Sequence, residues 1–149
     1  MTEVLFYHLE HQTLEGALPA LIERTLSRDW RAVIQAGSEE RVEALDTLLW
    51  TYREESFLPH GTRRDPHPDQ QPVFLTSSDD NPNAATVRFL VDGAEVADVT
   101  AYDRIVYLFD GRDAGAVERA REQWQRVKAA GCDVTYWQQS SDGRWQKQA

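Results

Sequence analysis

The run VLFYHL, Val4–Leu9, constrains the fold more than any other stretch of the chain. Apolar side chains fill nearly every position, so a strand formed here cannot turn one face to water. Strands of this kind lie inside sheets covered on both faces, the usual setting of parallel strands. The residues that follow fit that setting. Leu14, Leu18, Leu21, Ile22 and Leu26 recur at helical spacing, with Pro19 near the start of that helix, where proline is best tolerated. Arg31–Gln35 reads as a second strand. Gly37 and Ser38 end it and cap a second helix, with Glu39 and Glu40 in the first turn, where the macrodipole favours acids. Val42, Leu45, Leu49 and Tyr52 form the inward stripe of that helix.

Pro72–Thr76, Thr86–Val91 and Arg104–Phe109 are three further strands. Ala116, Val117, Ala120, Trp124 and Val127 mark a third helix that stops near Gly131. Val134–Trp137 is a last core strand, with a hairpin return signalled by Asp142-Gly143. Residues 61–71 are too polar and proline-rich to pack, and 77–85 read as a second loop. Strands alternating with helices predict an α/β fold: one domain over 1–149, with a mostly parallel central sheet and helices on both faces.

The charge narrows the function. The chain of 149 residues has a formal net charge of −9, which should repel a phosphate backbone, so direct nucleic-acid binding is not expected. The charge is uneven. Residues 1–111 hold nine Lys and Arg against twenty Asp and Glu, whereas 112–149 hold seven against five. A basic end on an acidic body suggests one local site for an anionic partner. Cys132 is the only cysteine, which fits a reducing cytoplasm and leaves no cysteine metal cluster. The N-terminus lacks the basic and apolar regions of a signal peptide, and no stretch approaches the roughly 18 apolar residues of a membrane span.

A doubly wound sheet invites a nucleotide, yet the turn after the first strand, EHQTLEG, has neither a dinucleotide-binding glycine pattern nor a phosphate loop. His8 and His11 read as one packed and one solvated residue rather than a metal pair. Asp110 and Asp113 flank a turn before a helix, where carboxylates cap backbone N–H groups. His60 and His67 fall in a loop with Asp65 and Asp69. No nucleophile with a nearby base is legible, and no cofactor or metal is expected.

The stretch from Leu48 to Gly61, LLWTYREESFLPHG, places aromatic residues where a helix gives way to a loop. Trp50 lies about 100° round from Leu49, on the shoulder of the inward stripe. Phe57, Leu58 and Pro59 follow. These residues either fold back over the helix end or form an exposed apolar patch of the kind that anchors a protein interface.

The segment Leu45-Asp46, Leu49-Trp50, Glu55-Ser56-Phe57-Leu58-Pro59-His60 resembles the chi subunit of bacterial DNA polymerase III. So do Phe6-Tyr7, Trp30, Ala120-Arg121-Glu122-Gln123-Trp124 and Ala130-Gly131, in order and at similar spacing. The stretch from about Thr62 to Tyr102 is dissimilar. The resemblance implies a nucleotide-binding-like fold without the phosphate loop and a non-catalytic accessory role in the polymerase holoenzyme. It implies a cytoplasmic bridge between a psi-like subunit of the clamp loader and the acidic C-terminal tail of single-stranded DNA-binding protein. Trp50, Phe57, Leu58 and Pro59 match the psi-binding region, and Arg121 and Trp124 match the tail-binding site. Val117 stands where some chi proteins carry a lysine, and the nearest substitutes are Arg119 and Lys128. Arg121, Trp124 and Lys128 share one helix face, and an acidic tail ending in an aromatic residue wants cations beside an apolar shelf. The alternatives are a small α/β enzyme or nucleotide-binding protein with unrecognised loops, and an interaction domain with unrelated partners.

Overall fold

The apolar opening run forms an interior strand of the sheet. A computed structural model describes residues 2–52, 59–142 and 144–148. Among these residues the chain runs β1 (Glu3–Leu9), α1 (Leu14–Ser27), β2 (Ala32–Gln35), α2 (Glu39–Thr51), β3 (Gly61–Thr62), β4 (Val73–Thr76), β5 (Val87–Leu90), β6 (Arg104–Asp110), α3 (Ala114–Ala129), β7 (Asp133–Gln139) and β8 (Trp145–Lys147). The strands form one sheet in the order β3-β4-β2-β5-β6-β1-β7-β8. Every pairing is parallel except the hairpin of β7 with β8. The mostly parallel α/β architecture expected from the sequence is present.

Alternation along the strands explains the double burial. Leu5, Tyr7 and Leu9 of β1 join Leu18, Leu21 and Ile22 of α1 and Val42, Leu45 and Leu49 of α2 in one core. Val4 and Phe6 join Tyr107 of β6 and Val127 of α3 in the other. Thus α1 and α2 cover one face and α3 covers part of the opposite one. The helix starts follow the sequence. Thr13, Ser38 and Asp113 are the N-caps, and each side chain accepts a first-turn N–H, from Gly16, from Arg41, and from Gly115 and Ala116 respectively. Pro19 lies in the second turn of α1, slightly deeper than expected. Gly131 closes α3 with a φ of +83°, a conformation that suits glycine.

Residues 61–71 depart from expectation. Gly61 and Thr62 form the edge strand β3 beside Phe74 and Leu75, and Pro68–Gln70 form a 3-10 turn. Strand pairing uses backbone groups, so a polar segment can join a sheet edge without an apolar signature. Gly61 is packed so closely that a Cβ there would approach Gln71 Cγ to 2.8 Å.

Among the described residues no helix covers β2 and β4 on the α3 side. The loop 77–85 does so instead, with Ala85 against Val33 and Phe74. Arg88, fully buried on β5, holds it there. Its Nε and Nη2 donate to Gln35 Oε1 at 3.0 and 2.7 Å. Nη2 also donates to Ser78 O at 2.6 Å, and Nη1 donates to Asp80 O at 2.8 Å and Tyr102 Oη at 3.0 Å. All five N–H donors of the guanidinium are thereby used. A similar network seats α3: Tyr107 Oη donates to Gln123 Oε1 at 3.2 Å, and Gln123 Nε2 donates to Glu95 Oε1 at 2.9 Å.

Two stability predictions follow from these networks. Arg88→Met should destabilise the fold by about 3 kcal/mol or more, because each buried acceptor left unpaired costs about 1–3 kcal/mol. Urea denaturation measures this, and a loss below about 1 kcal/mol would refute the role given to Arg88. Burial pushes the Tyr107 hydroxyl up to about 12, against the pull of Arg126. The unfolded chain ionises its tyrosine first, near pH 10. The stability tied to Tyr107 is therefore intact below about pH 10 and is lost as pH rises towards about 12. Tyr107→Phe should flatten that part of the alkaline unfolding curve, and an unchanged curve would contradict this account.

Candidate functional site

Strands β1 and β6 are neighbours, but the helices that follow them lie on opposite faces. A crevice of about 320 Å³ opens beyond their C-terminal ends, where doubly wound sheets bind ligands. Its chemistry does not suit a phosphate. Arg41 is held by Asp92 and Glu15, each at 3.0 Å, and Arg112 by Asp110 at 3.1 Å. The N–H groups of Gly115 and Ala116 at the start of α3 are already taken by Asp113 Oδ1. Glu95 and Asp113 also line the opening. An incoming phosphate would meet carboxylates and occupied donors, in keeping with a sequence that lacks a phosphate loop. Hydrogen bonds from the Arg112 backbone and side chain hold the Asp110 carboxyl below its ordinary range.

On α3, the spacing of Arg121, Trp124 and Lys128 does bring them together. Trp124 is half-buried, as a shelf rather than as core. Its ring lies 5.4 Å from that of Phe6 and 6.0 Å, edge-on, from that of Tyr136. The Lys128 ammonium lies 5.4 Å from the Trp124 ring centroid, within cation–π range. Arg121 precedes Trp124 by one turn on the same helix face, and its guanidinium pulls against the burial that raises the Tyr136 hydroxyl. Among the described residues neither Arg121 nor Lys128 has a carboxylate partner. Arg119, the other cation near Val117, lines the crevice beside Gly93 instead. Lys128 alone of the two substitutes joins the surface.

Three side chains that sequence reasoning did not place extend this surface. Tyr136 Oη is hydrogen-bonded to His8 Nδ1, and the His8 ring lies 5.1 Å from Phe109. Gly111 lets the imidazole sit there, since a Cβ at that position would overlap it. His8 is packed and His11 exposed, as expected. The register of β1 with β6 and β7 sets this grouping, and no sequence spacing reveals it.

At the end of α2, Trp50 is 48% exposed, and it is the large hydrophobic residue singled out by exposure among those described. Its ring packs on His60, with centroids 4.3 Å apart. His60 lies in a loop as expected, but it is buried. Its Nε2 lies 3.0 Å from Asp46 Oδ1 and 3.2 Å from Asp46 O. Pro59 is half-buried beside it in the chain. Phe57 and Leu58 lie outside the described residues.

A probable DNA polymerase III subunit chi from Rickettsia prowazekii (strain Madrid E) is 29% identical over 109 residues, covering 73% of this chain and 66% of its own length. The matched stretch thus spans just under two thirds of that relative. The family model described as DNA polymerase III chi subunit, HolC, matches residues 1–135. With nearly its whole length matched, this chain belongs to the DNA polymerase III chi subunit family.

Proposed function

We propose that the chain serves DNA replication as a non-catalytic accessory subunit of DNA polymerase III in the cytoplasm. In this reading one surface docks a psi-like subunit of the clamp loader. The other takes the acidic C-terminal tail of single-stranded DNA-binding protein. The observation that carries the proposal is the α3 surface: two cations without carboxylate partners flank a half-buried indole on an otherwise acidic chain. Arg121 and Lys128 would meet the carboxylates, and the Trp124 shelf with Tyr136 would take the terminal aromatic ring. The patch around Trp50 supports the second contact, because a half-exposed indole braced by a buried histidine is held ready for a partner. Among the described residues no helix is long and apolar enough to cross a membrane.

Arg121→Ala should weaken binding of a labelled tail peptide by about 1.5–3 kcal/mol, the range for hydrogen bonds to charged groups. Binding to the wild type should fall as salt rises, since exposed ion pairs are screened within about 8 Å at physiological ionic strength. Arg144→Ala, whose side chain is 85% exposed and paired with Asp142, should bind normally. Unaltered binding by Arg121→Ala in a fluorescence titration would place the tail elsewhere. For the other surface, Phe57→Ala should weaken a complex with a psi-like subunit by about 2 kcal/mol or more at unchanged Tm of the free protein. Calorimetric titration that finds equal affinity would remove this segment from the interface.

A further inference from the structure

A second cavity lies at the opposite end of the sheet from the acidic crevice and on the opposite face from the α3 surface. It holds about 240 Å³ between the last turn of α1 and strands β1, β6 and β7. Three arginines line it: Arg24 and Arg28 from the end of α1, and Arg104 from β6. Arg104 pairs with Glu3 at 3.2 Å. Arg24 and Arg28 have no carboxylate partner among the described residues. The guanidiniums of Arg28 and Arg104 each lie 5.0 Å from the Trp30 ring centroid, so the indole holds both in place.

An independent feature points the same way. Tyr7, only 9% exposed, lines this cavity, and its hydroxyl has no hydrogen-bond partner among the described residues. The ring is buried but the hydroxyl is not sealed off, since the buried side-chain polar atom left without a partner among the described residues is Asn83 Oδ1, and the Tyr7 hydroxyl is thus open to a ligand. Burial raises the Tyr7 hydroxyl above its ordinary value, and Arg24, Arg104 and Arg28 pull against that rise. It is therefore a neutral O–H donor at physiological pH, set among three cations.

Cations near a helix C-terminus also offset the macrodipole, and that would account for Arg24 and Arg28 alone. It does not account for Arg104 or for the unpaired Tyr7 hydroxyl. We propose that this cavity is an oxyanion site for a phosphate monoester, neutralised by Arg24, Arg28 and Arg104 and hydrogen-bonded by Tyr7. Three guanidiniums less the Glu3 carboxylate leave a local charge of about +2, matched by a phosphate monoester of about −1.5 to −2. A single carboxylate would leave one cation unmatched. Guanidinium forks suit phosphate oxygens in geometry as well as charge. The cavity admits one phosphate with a small attached group, and the acidic body of the chain disfavours a long phosphate backbone.

Calorimetric titration of the full chain tests the site with inorganic phosphate, a nucleoside 5′-monophosphate, the same nucleoside without phosphate, and an oligonucleotide with and without a 5′-phosphate. The phosphate-bearing probes should bind, weaken with salt, and shift the Trp30 indole N–H resonance, while the bare nucleoside should not. A small ester as the source predicts that the monophosphate matches the oligonucleotide. A strand end as the source predicts that the 5′-phosphorylated oligonucleotide is tighter, and either result upholds the site. The exposed pair Arg24→Gln with Arg28→Gln should weaken binding by about tenfold or more, and Tyr7→Phe by a smaller factor, at unchanged Tm. Arg63→Gln, on the exposed far edge, should bind as wild type. Absence of phosphate binding, equal binding by the arginine double variant, or equal binding of the bare nucleoside would overturn the proposal. Because this cavity lies on the opposite face from Arg121 and its lining does not include Trp50, failure here leaves the adaptor reading intact, and the converse holds.

Discussion

Strand β1 is hydrogen-bonded on both sides, to β6 over Glu3–Leu9 and to β7 over Glu3–His8. Because both edges are used and both faces are covered, its side chains have no solvent side, and the VLFYHL run answers that requirement. The same pairing sorts neighbouring side chains onto the two faces of the sheet. Phe6 points toward α3 and lies behind Trp124, while Tyr7, the next residue, points toward α1 and lines the arginine cavity. One step along a strand thus separates the floors of two surfaces on opposite sides of the sheet.

The charges are sorted along the strand direction as well as between faces. At the C-terminal ends of the strands, where the fold would offer a nucleotide its phosphate site, Arg41 and Arg112 are spent on neighbouring carboxylates. Toward the N-terminal ends on the α1 face, and on the outer face of α3, cations stand without carboxylate partners among the described residues. A chain with a net charge of −9 repels polyanions at a distance, so the positive places act only at short range. That favours small or terminal anionic groups over an extended backbone, and a peptide tail is such a group.

Helices and their faces were legible because capping residues and 3.6-residue spacing are local. Ser38, Asp113 and the stripe Arg121–Trp124–Lys128 needed no knowledge of the rest of the chain. What escaped depends on pairing between distant segments. The grouping of His8, Phe109 and Tyr136 with Trp124 follows from strand register across more than a hundred residues. Strand β3 escaped because two residues, Gly61 and Thr62, pair through backbone alone. The arginine cavity escaped because only the fold brings Arg104 and Tyr7 beside Arg24 and Arg28.

Arg88 and His60 show how polar residues can position a surface without belonging to it. Arg88 sits in the apolar strand sequence VRFL, and its charge is tolerated because five hydrogen bonds replace its hydration. Those bonds fix the loop 77–85 where a helix would otherwise be needed to cover β2 and β4. His60 does comparable work at α2. Bound to Asp46 and stacked on Trp50, it returns the chain to the helix from which it departed. A tryptophan at a helix end would ordinarily lower its free energy by collapsing onto the core. With the core side of the shoulder already occupied by His60, the Trp50 indole remains half outside. The exposure of the patch is therefore a consequence of the burial beneath it. Removal of the His60 ring should let Trp50 sink, so the motif that joins Asp46, Trp50 and His60 has a folding reason of its own.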